Sequence, residues 1–237
     1  MNFVIDIETC PSQDPSVKAA IAATIAPPGN ISKAETIDLW NKEKKPGAVE
    51  DAWRRTSFDG SRGHICVIGV AVDDADPVAL CAGAHWYENE AYVLTQLFEF
   101  IDAECAKHPN VRPTFIGHNV IDFDLRFIFQ RAVILGVTPS RHIPFAARPW
   151  DDAVYDTMTR WSGTKDRIKL DHLAKALGLS GKGDIDGSMV WDYVNSGRID
   201  EVAQYCCDDV SMTRDVHRRM TFLPAPVIIF ECDGLPF

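Results

Sequence analysis

Two acidic residues near the N-terminus have the spacing of a metal-binding pair. Asp6 and Glu8 are two apart in NFVIDIE, a segment predicted to be a strand that ends at Glu8. Because side chains alternate along a strand, both carboxylates project from the same face, where they repel each other unless a cation lies between them. A single D-x-E pair is also typical of a solvated strand edge, so a metal site would need partners elsewhere in the chain.

The sequence offers further acidic positions that could complete such a site. Asp124 ends the polar segment GHNVIDFD and directly precedes a predicted apolar helix. It could face the strand pair or cap that helix, and Asp122 could share either role. Tyr205 and Asp209 are four residues apart on the last predicted helix and therefore lie on one side of it. The alternative for these two is an exposed tyrosine beside a solvated aspartate.

Two other aspartates lie close to these positions in the sequence. Asp156 in VYDTM, at the end of the last predicted strand, is a reserve ligand, with a capping or positioning role as the alternative. Asp208 is adjacent to Asp209 on a helix and should point away from it by about 100°.

The elements that must position these residues follow from the hydrophobic pattern. Short apolar or β-branched runs predict strands at 2–8, 64–72, 78–82, 114–117 and 153–157. Apolar residues three and four apart predict helices at 89–106, 125–135, 170–177 and 198–220. Residues 12–63 are predicted to be an insertion of loop and helix. This order predicts an α/β fold with a mixed five-stranded sheet flanked by helices.

Composition limits the classes of function. The chain has 237 residues, of which 46% are hydrophobic and 24% are charged, as in a globular protein. We expect one domain at 1–222 that includes the insertion at 12–63, and an apolar tail at 223–237. The formal net charge of −10 excludes binding of nucleic acid through a general basic surface. No apolar run approaches the roughly 20 residues of a membrane span, and the N-terminus lacks a signal-peptide pattern. We therefore expect a cytoplasmic protein with no membrane partner.

Taken in chain order, the acidic motifs resemble those of the DEDD superfamily of 3′-5′ exonucleases, which have a ribonuclease H-like fold. They are DIET with Asp6 and Glu8, GHNVIDFD with Asn119 and Asp124, and YCCDD with Tyr205 and Asp209. A tyrosine four residues before the last aspartate is similar to the tyrosine branch, called DEDDy. The five-residue interval from Asn119 to Asp124 and the insertion after the first strand look most like proofreading domains of family B DNA polymerases. More closely, the chain is similar to the stand-alone predicted exonucleases related to those domains.

The resemblance implies a metal-dependent 3′-5′ exonuclease. Four carboxylates, the hard oxygen ligands that Mg²⁺ and Mn²⁺ prefer, would hold two divalent cations: Asp6, Glu8, Asp124 and Asp209. The phenol of Tyr205, mostly neutral at pH 7, would orient the attacking water.

Several residues near the motifs are candidate substrate contacts. Thr9 and Asn119 belong to the first and second motifs. His118 could contact the terminal nucleotide or only form hydrogen bonds within its loop, and Phe123 could wedge against a terminal base or pack in the core. Cationic residues exceed acidic ones between 160 and 182 and could bind substrate phosphates or form a solvated face: Arg160, Lys165, Arg167, Lys169, Lys175 and Lys182.

The expected substrate is the 3′ end of single-stranded DNA, and two alternatives stay open. The same chemistry could act on RNA, because none of the motif residues reports on a 2′-hydroxyl. A non-catalytic nucleic-acid-binding domain could have kept the fold, although all four ligand positions are acidic here. The tail ends in Leu235, Pro236 and Phe237, which loosely resemble sliding-clamp peptides. It could therefore fold back on the domain or dock on a replication or repair protein.

Overall fold

One mixed sheet forms the centre of the protein. The computed structural model describes residues 1–181 and 185–224. The strands are β1 (Asn2–Cys10), β2 (His64–Val72), β3 (Val78–Leu80), β4 (Thr114–Gly117) and β5 (Val154–Asp156), in the order β3-β2-β1-β4-β5. β2 pairs antiparallel with β1 and β3, whereas β4 pairs parallel with β1 and β5. The predicted α/β fold with a mixed five-stranded sheet flanked by helices is confirmed.

Helices cover both faces of this sheet. α4 (Glu90–Lys107) and α5 (Asp124–Leu135) pack on one face, and α9 (Ile199–Met220) packs on the other. The shorter helices are α1 (Pro15–Thr24), α2 (Ala34–Glu43), α3 (Lys45–Arg54), α6 (Thr157–Ser162), α7 (Leu170–Ala176) and α8 (Val190–Asn195). The four helices predicted from periodicity correspond to α4, α5, α7 and α9. α6 and α8 are too short for a helical period to be visible in the sequence.

Two features depend on which residues the structure describes. In residues 1–181 and 185–224, no helix has the length and apolar character needed to cross a bilayer. The predicted docking segment at Leu235, Pro236 and Phe237 lies outside the described residues.

The central strand β1 is apolar on both faces at its start. Phe3, Ile5 and Ile7 pack in the core under α4 and α5, whereas Val4 packs with Val210 of α9. Since side chains alternate, every even position of β1 faces α9. The two acidic residues of this strand are both at even positions.

The predicted end of β1 at Glu8 is wrong. The strand continues through Thr9 and Cys10, which pair with Ile65 and His64 of β2, and the pairing register shifts between Glu8 and Thr9. β2 extends far enough to offer these partners, which local sequence cannot reveal. The shift is an irregularity of the kind that often re-aims side chains near functional sites.

The insertion between β1 and β2 returns to the end of β1. Trp53 Nε1 donates a hydrogen bond to Ser12 O at 2.8 Å. In the 3₁₀ turn Arg55–Phe58, the carbonyl of Ser57 accepts a hydrogen bond from Thr9 Oγ1 at 2.8 Å. The insertion is therefore joined to β1 directly after its acidic pair.

A buried ion pair fixes the end of the insertion. Arg131 donates from Nε and Nη2 to the two carboxylate oxygens of Glu90, both at 2.7 Å, and from Nη1 to Gly60 O at 3.3 Å. Glu90 also accepts from Ile65 N, and His64 Nδ1 lies 2.9 Å from its Oε2. Burial favours the neutral acid, but the hydrogen bonds with His64 and Arg131 hold the pKa of Glu90 below its usual range.

Glu90→Gln should strongly destabilise the protein, because it leaves the guanidinium of Arg131 buried without a countercharge. Breaking a buried ion pair on one side typically costs about 3–5 kcal/mol. Urea unfolding followed by circular dichroism measures the free energy of unfolding. The control is Glu104→Gln, which removes a surface ion pair with Lys107 and should change that free energy by less than about 1 kcal/mol. Similar effects of the two substitutions would contradict this role of Glu90.

Candidate functional site

The carboxylates of β1 face α9. The ligand atoms of Asp6, Glu8 and Cys206 of α9 all lie within 4.8 Å of one another. Asp6 is partly exposed and Glu8 is buried. As the alternation of the strand predicts, the two acidic side chains lie on the same face.

A glycine lets α9 approach the sheet beside Asp6. Gly69 is the β2 partner of Asp6, and a Cβ added there would lie 2.9 Å from both Cys206 Sγ and Val210 Cγ2. Cys206 Sγ lies 3.5 Å from Asp6 Oδ2 and 3.6 Å from Asp6 O. Burial, with the charges of nearby carboxylates, raises the pKa of Cys206, so the thiol keeps its proton and donates it toward Asp6. The sequence prediction lacks this contact, although Cys206 lies one helical turn before Asp209.

Asp124 lies at the first position of α5 and is only 2% exposed. It does not cap its own helix, because Phe123 occupies the N-cap position. Instead, its Oδ1 accepts a hydrogen bond from Ile7 N of β1 at 3.0 Å. Burial, together with the charges of Asp156 and Asp209, raises the pKa of Asp124 to about 7. This carboxyl group is therefore adjacent to both β1 and α9.

Tyr205 and Asp209 come from the part of α9 that faces β1. Both side chains are buried, and the phenol of Tyr205 forms a hydrogen bond with the carboxylate of Asp209. Burial raises the pKa of Tyr205, and the charges of Glu8, Asp209 and Asp6 raise it further. The phenol is therefore neutral at physiological pH. Because the charges of all three carboxylates act on the pKa of this phenol, Tyr205 lies among them.

Asp156 positions the segment that leads to Asp124. Its Oδ1 accepts from the backbone N–H of Asn119 and of Thr159, both at 3.1 Å, and its Oδ2 accepts from Ile121 N at 3.2 Å. Asn119 has a left-handed backbone conformation, with φ of 66°. Three backbone hydrogen bonds to one buried carboxylate correspond to the capping and positioning role that the sequence left open.

Four of these residues, Asp6, Glu8, Tyr205 and Asp209, line a cavity of about 760 Å³, whereas the buried Asp124 is not part of its lining. Its acidic end is lined by Asp6, Glu8 and Asp209, with Tyr205 beside them. The predicted substrate contacts that line it are Thr9, His118, Asn119 and Phe123. Ser57 and Phe58, from the insertion, also line the cavity and are not among the residues predicted from the sequence. Ser57 and Phe58 lie in a short turn of the insertion, where the sequence has no strand or helix period that could have identified them as cavity residues.

His118 lies between two elements as well as in the cavity wall. Its Nε2–H donates to Ile168 O at 2.8 Å, and its Nδ1 lies 2.9 Å from Thr157 Oγ1. His118 therefore forms hydrogen bonds with two other segments rather than within its own loop. Contact of His118 with a nucleotide stays a prediction.

The predicted cationic run contributes three residues to the same cavity: Arg167, Lys169 and Lys175. Lys165 lies on the loop before them and is not part of the lining. Arg160 instead packs over the ring of Tyr155, at 5.3 Å from its centroid. Lys182 lies outside the described residues. The cavity therefore has an acidic part and a cationic part.

The donor groups at the acidic end fit divalent cations. Carboxylates crowded at short range repel one another, and the raised pKa of Asp124 is in part the electrostatic consequence of that crowding. A divalent cation reverses the effect, because it favours the charged form of each carboxylate. Hard cations with oxygen ligands, such as Mg²⁺ and Mn²⁺, match this donor set.

Comparisons with known proteins identify relatives of this chain. A family described as predicted 3′-5′ exonuclease related to the exonuclease domain of PolB matches residues 63–227. This range includes Asp124, Tyr205 and Asp209 but begins after Asp6 and Glu8. No curated protein matches the chain in sequence.

A solved structure extends the likeness to the whole fold. It is the structure of the family B DNA polymerase from the hyperthermophilic archaeon Pyrobaculum calidifontis, with a TM-score of 0.56 and 17% sequence identity. The match covers 93% of this chain and 24% of that chain. The chain thus spans about a quarter of that polymerase, and the likeness at this identity is one of fold.

Asp124→Asn should stabilise the metal-free protein at high pH. Burial raises the pKa of Asp124 from an ordinary value near 3.8 to about 7, so the folded protein keeps a proton that the unfolded chain loses. The contribution of this carboxyl group to the free energy of unfolding is therefore full below about pH 4 and is lost as the pH rises through about 7. The neutral amide of the variant would avoid this loss and could keep the hydrogen bond from Ile7 N. The gain at pH 8 is about 2–4 kcal/mol.

Thermal unfolding with a chelator at pH 8 and pH 5 measures this gain, which should be smaller at pH 5. Asp122→Asn is the control, because Asp122 is exposed and lies two residues before Asp124. A gain that is the same at both pH values, or one shared by the control, would contradict the argument.

Proposed function

Because this chain belongs to the family of predicted 3′-5′ exonucleases related to the exonuclease domain of PolB, we propose that it removes nucleotides from the 3′ end of single-stranded DNA by two-metal-ion catalysis. The proposal rests on the convergence of Asp6 and Glu8 with Asp124 and Asp209. The first two lie outside the range that the family matches, yet they are close enough to Tyr205 and Cys206 to raise the pKa values of both.

The residues divide the catalytic work. Asp6, Glu8, Asp124 and Asp209 would hold two divalent cations, Mg²⁺ or Mn²⁺. When bound, these cations supply activation of the attacking water and stabilisation of the leaving 3′ oxygen. Tyr205, kept neutral by burial, orients the water through its hydroxyl group rather than acting as a base. The tyrosine four residues before Asp209 supports assignment to the tyrosine branch of the DEDD enzymes.

Substrate binding uses the cationic part of the cavity. Arg167 and Lys169 provide positive charge for contacts with the phosphates of a single strand, which locally offsets the overall negative charge of the chain. Lys175 is paired with Asp171 at 2.7 Å. Thr9 and Asn119 line the same cavity, and we propose that they contact the terminal nucleotide.

Hydrolysis of a 5′-labelled single-stranded DNA oligomer tests the proposal. A ladder that shortens from the 3′ end should form with Mg²⁺ or Mn²⁺ and disappear with EDTA. Asp6→Ala and Asp209→Ala should lower the rate by about a thousandfold or more, because each removes a ligand of the cations. Tyr205→Phe should lower it by about tenfold to a hundredfold and leave measurable activity, because the four carboxylates that would hold the cations are unchanged.

Asp208→Ala is the matched control for Asp209→Ala. Asp208 is the next residue on α9, but it is exposed and accepts a hydrogen bond from Gln204, so its loss should leave the rate unchanged. An active Asp6→Ala protein would overturn the assignment of ligands. Hydrolysis of a matched RNA oligomer but not of DNA would replace the substrate, and folded protein that cleaves neither would contradict the enzymatic function.

A further inference from the structure

His118 connects two parts of the cavity wall through the two nitrogens of its ring. Its Nε2 lies 2.8 Å from Ile168 O, and its Nδ1 lies 2.9 Å from Thr157 Oγ1. A carbonyl oxygen can only accept a hydrogen bond, so Nε2 carries a hydrogen and donates it to Ile168. Thr157, the first residue of α6, is completely buried, and its hydroxyl oxygen lies 3.1 Å from Gly117 O. The imidazole therefore bridges a buried anchor and the backbone at Ile168.

The segment that His118 contacts carries two of the cationic residues of the cavity. Residues 166–169 form neither helix nor strand and lead into α7. Ile168 packs against the apolar cluster of α7 and α9, whereas Arg167 and Lys169 on either side of it are exposed and line the cavity. Lys169 has an extended backbone, in which successive side chains alternate in direction. The position of the Ile168 backbone therefore determines where both cationic side chains begin.

The other neighbours of His118 belong to the segment that leads to the acidic residues. His118 directly follows β4 and precedes Asn119, whose N–H donates to Asp156 Oδ1 at 3.1 Å. The same segment continues to Asp124, which accepts from Ile7 N of β1. One ring therefore joins the backbone before Asp124 to the backbone between the two cations.

We propose that His118 is a positioning residue, whose hydrogen bond to Ile168 O holds Arg167 and Lys169 at a fixed place relative to the carboxylates. Successive phosphates of a nucleic acid strand are separated by the length of its backbone. Cationic side chains can bind them while the strand end lies at the carboxylates only if the distance between the two groups matches. Without this hydrogen bond, the irregular segment would have to be ordered by the substrate, which weakens binding.

This inference rests on the proposed function and assigns His118 a part in it. His118 would act on the strand through Arg167 and Lys169. Direct contact between the imidazole and a nucleotide is the alternative, and the two roles predict different results when the three residues are substituted together.

Two substitutions of His118 separate its two hydrogen bonds. The side-chain nitrogen of glutamine lies about as far from the backbone as Nε2 and can donate to Ile168 O, whereas that of asparagine lies near the position of Nδ1 and reaches only Thr157. Binding of a fluorescent single-stranded DNA oligomer is measured by anisotropy at several salt concentrations, with Ca²⁺ in place of Mg²⁺.

His118→Asn should raise the Kd of the oligomer by about threefold to thirtyfold. It should also lower the slope of log Kd against log salt concentration by about 1, because contacts with phosphates are lost. His118→Gln should stay close to wild type. The control is His108→Ala, which removes an exposed histidine outside the cavity lining and should have no effect.

A mutant cycle tests whether His118 acts through the cationic segment. Arg167→Ala combined with Lys169→Ala should weaken binding at least as much as His118→Asn. Addition of His118→Asn to that pair should change Kd by less than about twofold, because residues that act as a unit have non-additive effects. In hydrolysis, His118→Asn should raise KM and leave kcat within about twofold, since the four carboxylates are unchanged.

Three outcomes would overturn the inference in a protein whose binding depends on Arg167 and Lys169. They are an absence of any loss in His118→Asn, an equal loss in His118→Asn and His118→Gln, and a further loss when His118→Asn is added to the paired alanine substitutions. The last would mean that the ring contacts the strand itself. Wild type that binds no oligomer, or binding that is insensitive to the paired alanine substitutions, would contradict the proposed substrate binding and with it this inference.

Discussion

Repulsion between carboxylates confined in a small buried volume is the constraint on which the arrangement of this protein depends. Asp124 illustrates it, since burial and the charges of Asp156 and Asp209 raise its pKa to about 7. Without compensation, such a cluster would push β1 and α9 apart or take up protons. The fold must therefore hold the acidic groups close together at a cost in stability, and functional sites commonly bear such a cost.

Short-range contacts keep the acidic groups in place. The backbone N–H of Ile7 donates to Asp124, and the thiol of Cys206 lies against Asp6. Gly69 provides the space that this approach of α9 requires. Asp156 has a structural role. Its carboxylate accepts hydrogen bonds from three backbone N–H groups and so fixes the segment that leads to Asp124. The cluster thus combines acidic groups that face the cavity with one that supports the surrounding backbone.

The insertion changes the character of the site. The packing of β1 against α5 on one face of the sheet and against α9 on the other already brings these three elements together without the insertion. The insertion adds Ser57 and Phe58 to the cavity wall. It is joined to Thr9 through the carbonyl of Ser57 and to Arg131 through the carbonyl of Gly60. Acidic, cationic and aromatic surfaces consequently share one cavity. This combination supports the proposed substrate, a strand end, which presents a phosphodiester, further phosphates and a base at the same time.

Local patterns in the sequence were sufficient to determine the class of fold and the types of residue in the site. β2 and β4 have the predicted bounds, because runs of β-branched residues between turn residues are a local signal. The pairs Asp6 with Glu8 and Tyr205 with Asp209 follow from the periods of a strand and a helix. The end of β1 was not predictable in this way, because it depends on partners offered by β2.

Only the tertiary structure decided which groups touch. Asp124 bonds to a backbone N–H 117 residues away in the chain, and Cys206 contacts Asp6 across 200 residues. The place of Phe58 beside Phe123 likewise depends on how the insertion folds back onto β1 and α5. Periodicity encodes which face of an element is apolar, but distances between such groups are set by packing of the whole sheet and its helices.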